Sequence, residues 1–93
     1  MYLHIGNNVI LRKKQVLGIF DMDNATVSPV TRAYLARAQV EQRVNSVSFD
    51  IPKSFILYNK DGQITVYFSP LSEASLMGRM RSEFSEKDYS DIC

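Results

Sequence analysis

Residues 63–73, QITVYFSPLSE, and residues 15–30, QVLGIFDMDNATVSPV, share one construction: an apolar, strand-like segment that runs into Ser-Pro and then into a helical pattern. Ser28 and Ser69 carry side-chain oxygens suited to capping the orphan amides of a helix start. Pro29 and Pro70 follow at the first helical position, where a missing N–H costs nothing. Helices are therefore predicted from Pro29 to about Arg43 and from Pro70 to about Phe84. Two strand-to-helix units in so short a chain fix much of the architecture without fixing a chemistry.

Outward from these units the chain reads mainly as strands. Lys53–Tyr58 (KSFILY) and Gln63–Phe68 (QITVYF) are the clearest, joined by Asn59-Lys60-Asp61-Gly62, with Gly62 suited to the left-handed position that closes a hairpin. Tyr2–Gly6 and Val9–Leu11 form a second strand pair around Asn7-Asn8, a residue type that tolerates left-handed angles. Arg12-Lys13-Lys14 interrupts the apolar pattern before Gln15–Phe20 resumes it, and Gly18 inside that segment suggests a bulge or a close approach of another backbone. Asp21–Val27 reads as a loop. Val44–Phe49 reads as a short strand or an extended linker, broken by Asp50-Ile51-Pro52. The expectation is an α+β fold: a small twisted, mostly antiparallel sheet with two helices in a single domain.

A chain of 93 residues allows one domain. Such a domain buries only about 60–65% of the surface its unfolded chain exposes, so sharing a face with another subunit is one remedy, and a homo-oligomer is expected. The first helix supplies a candidate contact. Val30, Ala33, Tyr34 and Ala38 cluster on one side, while Leu35 projects roughly 100° from Tyr34 and could meet a neighbouring subunit. Arg37 and Glu41 are spaced to pair at i, i+4.

The net charge of +1 hides a polarity. Through Arg81, ten basic residues oppose six acidic ones; after it only Lys87 opposes Glu83, Glu86, Asp88 and Asp91, so the body is +4 and the tail −3. The division expected is a folded domain over 1–84 and a flexible acidic tail over 85–93. No apolar run approaches the roughly 20 residues of a membrane span. MYLHIGNNV lacks the basic start and apolar stretch of a secretory signal. Cys93 is the only cysteine. These features point to a cytoplasmic protein without a membrane partner.

No catalytic constellation emerges, so a non-enzyme without cofactors or metals is expected. His4, the only histidine, has no nucleophile or orienting carboxylate at a local spacing. A terminal Cys93 lacks the electropositive setting that activates a thiol. Asp21 and Asp23 do not continue into a calcium-loop series, and the glycines form no phosphate-cradling run. Arg12-Lys13-Lys14 is the strongest local signal. Three consecutive cations would project from a sheet edge or loop tip, where they could contact phosphates or keep the edge from pairing with another sheet. Both readings stand on the residues alone. Lys53, between a proline break and a core strand, is a further candidate.

Three segments, HIGNN near the start, QVLGIFD before the first Ser-Pro, and YFSPLSEASLMGR after the hairpin, together resemble the extracellular matrix (biofilm) regulators of the RemA/RemB type, and the RemB branch most closely. The resemblance spans roughly Met1 to Arg81, its specificity lying in order and spacing. It implies a small cytoplasmic transcription regulator without catalysis that binds DNA, with RemA-type members forming ring-shaped oligomers that engage DNA through basic residues. RemA-type members carry consecutive arginines just before the central strand. Here that stretch reads Asp50-Ile51-Pro52-Lys53, and Lys53 is the only basic residue that carries over. The nucleic-acid candidates are therefore Arg12, Lys13, Lys14 and Lys53, with Leu35 at the oligomer contact. The rival readings are a non-catalytic structural or protein-interaction module that acts through a protein partner and, less favoured, a small-molecule sensor or enzyme.

Overall fold

Tyr2–Gly6 (β1) and Val9–Arg12 (β2) pair antiparallel around Asn7 and Asn8, both with positive φ (49° and 66°), the signature of a two-residue turn that matches strand twist. A 3-10 turn over Lys13–Gln15 leads into β3 (Val16–Asp21), a one-turn helix α1 (Met22–Ala25) and α2 (Pro29–Val40). Then come β4 (Val44–Ser46), β5 (Ser54–Lys60), β6 (Gln63–Ser69) and α3 (Glu73–Arg81). These elements belong to a computed structural model that describes residues 1–81. The acidic tail expected over 85–93 lies outside the described residues, as does Phe84. No helix among the described residues is long and apolar enough to cross a membrane.

The chain is α+β, with two sheets. β1 and β2 form one; β3, β5, β6 and β4 form the other, in that order, and only the β4–β6 pair is parallel. β5, whose sequence SFILYNK is nearly continuous in apolar residues, lies inside that sheet and is buried on both faces. Ile56 and Tyr58 face a cluster containing Leu3, Ile5, Leu11, Val47 and Leu76, which joins the β1–β2 hairpin and α3 to the sheet. Phe55 faces the other way, with Ala38 of α2 and Val66. The result is three layers with β5 at the middle of both cores. β3 and β4 run in the same direction, so the chain must cross over between them, and α2 makes that crossing on the Phe55 side.

Both turns between strands are of the kind expected. Asp61 (φ 52°) and Gly62 (φ 88°) alone form the β5–β6 turn; Asn59 and Lys60 remain in the strand, and Asn59 Oδ1 accepts from Gly62 N at 2.9 Å. The register of β3 against β5 slips between Val16 and Gly18, the bulge that Gly18 suggested. Ser28 caps α2, its Oγ accepting from Thr31 N at 3.4 Å, with Pro29 in the first turn.

Four expectations need correction. Asp21–Val27 is not wholly a loop, because Asp21 Oδ2 accepts from Asn24 N at 2.9 Å and starts α1. α2 stops at Val40, short of Arg43, because Gln42 takes a left-handed angle (φ 59°) and Arg43 N bonds back to Ala38 O at 2.8 Å. α3 starts at Glu73, not Pro70. Ser69 is the last residue of β6, and Ser72 takes the capping role, its Oγ accepting from Ser75 N at 3.1 Å. Leu35 does not project away from the sheet. It is half-buried against the Ala38–Phe55–Val66 cluster, as is Tyr34, because the apolar stripe of α2 is wide enough to hold two residues about 100° apart.

Gly6 stands where the hairpin meets the rest of the protein. Its φ of +116° disfavours any side chain, and a Cβ there would lie 3.2 Å from Pro70 Cδ. Gly6→Ala is expected to destabilise the protein by about 1–3 kcal/mol, the usual cost of a strained backbone position. Urea unfolding checks this, and an unchanged midpoint would show that the hairpin does not need this approach to Pro70.

Candidate nucleic-acid interface

The basic run is placed by a tyrosine in the central strand. Tyr58, only 8% exposed, donates from its hydroxyl to Gln15 Oε1 at 2.9 Å and accepts from Arg12 N at 3.2 Å. Its ring meets Tyr67 edge-on at 5.7 Å. These contacts hold the backbone at the end of β2, so the exposed Arg12 side chain is presented from a fixed point. Arg12, Gln15, Tyr58, Lys60, Asp61 and Tyr67 line an open concavity of about 350 Å³.

The 3-10 turn then sends the next two lysines in different directions. Lys14 is exposed, whereas Lys13 is buried at 9% exposure and its Nζ donates to Met80 O of α3 at 3.4 Å. The expectation that all three cations project is corrected for Lys13. One-residue steps around a 3-10 turn rotate successive side chains by about a third of a turn, and a lysine stem can cover apolar surface while its ammonium finds a carbonyl. Lys13, Lys14 and Arg81 line a second open concavity, of about 510 Å³, with Met1 and Met80.

Lys53 is not part of this group. It is exposed but lies beside the first residue of β5, where its N–H bonds Ser69 O at 2.9 Å and its C=O accepts from Met22 N at 3.0 Å. Tyr58 is four residues beyond that first residue, so Lys53 sits about 14 Å or more from the Arg12 end at ~3.4 Å per residue. Within one copy, Arg12 shares one concavity with Lys60 and Lys14 shares the other with Arg81, the two concavities being linked through the 3-10 turn, and Lys53 lines neither. The signal for Lys60 and Arg81 was available in the sequence only as isolated cations; their convergence is a product of the β5–β6 turn and the course of α3.

Most other cations of the body are committed to structure. Arg32 donates to Thr26 O (2.6 Å) and Val27 O (3.0 Å), Arg79 to His4 O (3.1 Å), and Arg43 to Ile64 O (2.6 Å). Arg43 also pairs with Glu41 at 2.7 Å, and Glu41 meets Arg37 at 3.5 Å as the i, i+4 spacing anticipated. The Arg43 hydrogen bond holds the Glu41 carboxyl below the usual carboxylate range. By contrast the side chains of Arg12, Lys14, Lys53, Lys60 and Arg81 have no hydrogen-bond or ion-pair partner among the described residues. Asp21 is occupied with its helix cap, and among the described residues no three His, Cys, Asp or Glu side chains gather to hold a metal.

No family model matches the chain. It is similar to extracellular matrix regulatory protein B of Bacillus subtilis (strain 168), with 32% identity over 84 residues, covering 90% of this chain and 95% of that protein. The three segments that carried the resemblance lie in β1 and its turn, in β3, and from the end of β6 into α3, elements that contribute to the cluster around Leu3, Ile56 and Leu76. With that identity running through nearly the whole of both proteins, the chain belongs to the extracellular matrix regulatory protein B family.

Proposed function

We propose that this protein is a non-catalytic transcription regulator of the extracellular matrix type, acting in the cytoplasm as a homo-oligomer that binds DNA. The observation that carries the reading is the convergence of exposed Arg12, Lys14, Lys60 and Arg81 from three parts of the chain on one end of the molecule, with Asp61 the opposing acid there. Cations with no partner to satisfy can replace counterions on a phosphate backbone. Four per copy make weak binding, and repetition in an oligomer converts weak sites into useful avidity, by about 100- to 10,000-fold where the spacing fits. Arg12, held at its backbone, is the best placed to reach a base edge, since arginine can bond guanine bidentately. Lys13 contributes by holding α3, and with it Arg81, against the basic turn.

Duplex binding followed by fluorescence anisotropy across a salt series tests this. Affinity should fall steeply with salt. Replacing Arg12 and Lys14 by Ala should weaken binding to all sequences and flatten the salt slope by about 1 for each phosphate that is no longer neutralised. Both side chains are exposed, so stability should not change. A second reading, an interaction module that works through a protein partner, draws support from the exposed Phe49 and Ile51 beside Lys53. It expects no duplex binding even at low salt, and that result would replace the DNA reading.

A further inference from the structure

The molecule ends in two features that complement each other and cannot meet within one copy. The first is the segment 48–52, Ser-Phe-Asp-Ile-Pro. Phe49 is 109% exposed and Ile51 87%, so both apolar side chains stand clear of the protein with Asp50 between them. The segment is nevertheless anchored. Val47 N bonds Phe68 O (3.2 Å), Asn7 Nδ2 donates to Val47 O (2.8 Å), and Lys53 N bonds Ser69 O (2.9 Å), closing both ends. Asp50 N bonds Ser48 Oγ at 3.0 Å, and Pro52 restricts the exit. An apolar projection held at both ends loses little freedom when it is buried in a partner.

The second feature is the concavity of about 510 Å³ at the opposite end, where Met1 and Met80 offer apolar, adaptable surface and Lys14 and Arg81 supply exposed cations. Its chemistry is the inverse of the projection: thioethers for Phe49 and Ile51, cations for Asp50.

We infer that the 48–52 segment of one copy seats in the Met1–Met80 concavity of the next, with Phe49 and Ile51 on the methionines and Asp50 beside Arg81 and Lys14, one carboxylate against two cations, so that net positive charge remains at the seam for phosphate. This contact rests on the homo-oligomer reading above and gives it a geometry. The length of the sheet separates projection from concavity, so the contact is head-to-tail. Repeated, it closes a ring or extends a filament, according to the rotation between copies. It also places Lys53, one residue beyond Pro52, beside the basic end of the neighbour. The seam between two copies then joins Lys53 to Arg12 and Lys60 in one basic stretch that a single copy lacks.

Two variants test the contact in the full-length chain by light scattering at micromolar concentration. One carries Phe49→Ser with Ile51→Ser and has no projection; the other carries Lys14→Glu with Arg81→Glu and has a reversed concavity. All four positions are exposed, so circular dichroism and the unfolding midpoint should match the wild type; Asp50→Lys provides a second, single-site version of the first. Each variant alone should show the mass of one 10.6 kDa chain. An equimolar mixture should give pairs of two chains and nothing larger, because one intact projection meets one intact concavity and growth stops there. A wild type that is itself monomeric would overturn both the oligomer reading and this contact. A wild type that assembles while either variant keeps its mass, or a mixture that stays monomeric, would overturn the contact alone.

Discussion

Replacing Leu76 by Ala will lower the unfolding free energy by about 2–5 kcal/mol, the range for deleting a fully buried leucine side chain. Leu76 is 0% exposed and is the one fully buried residue of α3. Around it are Leu3, Ile5 and Leu11 of the hairpin and Ile56 and Tyr58 of β5. The cavity left by truncation would therefore open between three elements rather than inside one. None of them can close it alone, since the hairpin is held by its own turn and β5 by neighbours on both sides. A domain of this size has a total stability of about 5–10 kcal/mol, so the variant should unfold at markedly lower urea. Leu76→Met, which nearly conserves volume, should cost less than about 1.5 kcal/mol. A loss below about 1 kcal/mol for Leu76→Ala would mean that α3 is peripheral to the core.

Ser69→Ala should cost about 2–4 kcal/mol, because two buried polar groups would each lose a partner worth about 1–3 kcal/mol. Ser69 is 0% exposed. Its hydroxyl donates to Ile5 O at 2.6 Å and accepts from Leu71 N at 3.0 Å. Ser54, its register partner on β5 and equally buried, donates to Leu71 O at 2.7 Å. The two hydroxyls thus hold the turn that delivers α3 and fasten it to β1. Ser28→Ala supplies the comparison, since it removes only a helix cap at about 0.5–2 kcal/mol. Equal losses for the two variants would show that the hydroxyl of Ser69 does no more than a cap would.

This pair of serines also shows where sequence reading stops. Ser28 and Ser69 stand in the same local setting, Ser-Pro after a strand, and only Ser28 caps a helix. What separates them is a carbonyl 64 residues away, which no local pattern carries. Turns and interior strands were legible because their signals are local: Asn7-Asn8 and Asp61-Gly62 set their own backbone angles, and Phe55–Tyr58 is an unbroken apolar run. α1 was missed, because a single turn has no periodicity to show and its start rests on one cap, Asp21 Oδ2 accepting from Asn24 N. β4 lies within the stretch read as a short strand or an extended linker, but its parallel pairing was not readable, because it depends on the crossover rather than on the composition of three residues. The run Arg12-Lys13-Lys14 was legible as three adjacent cations, but not the burial of Lys13, because α3 reaches the turn only through tertiary packing. Lys60 and Arg81 joined it for the same reason.

The tie between Ile5 and Ser69 has a consequence for the order in which the protein comes into being. On the ribosome β1 and β2 are made before the other elements of this domain, and their turn lets them pair at once. The groups that cover Leu3 and Ile5, from β5 and α3, come at least 49 residues later, and the hydroxyl that bonds Ile5 O comes 64 residues later. At about 5–20 residues per second, that last partner arrives roughly 3–13 s after Ile5 itself. During that interval the hairpin presents a bare apolar face to the cell. Nascent chains shortened before residue 69 should therefore be held by chaperones through the N-terminal hairpin and released once α3 has emerged.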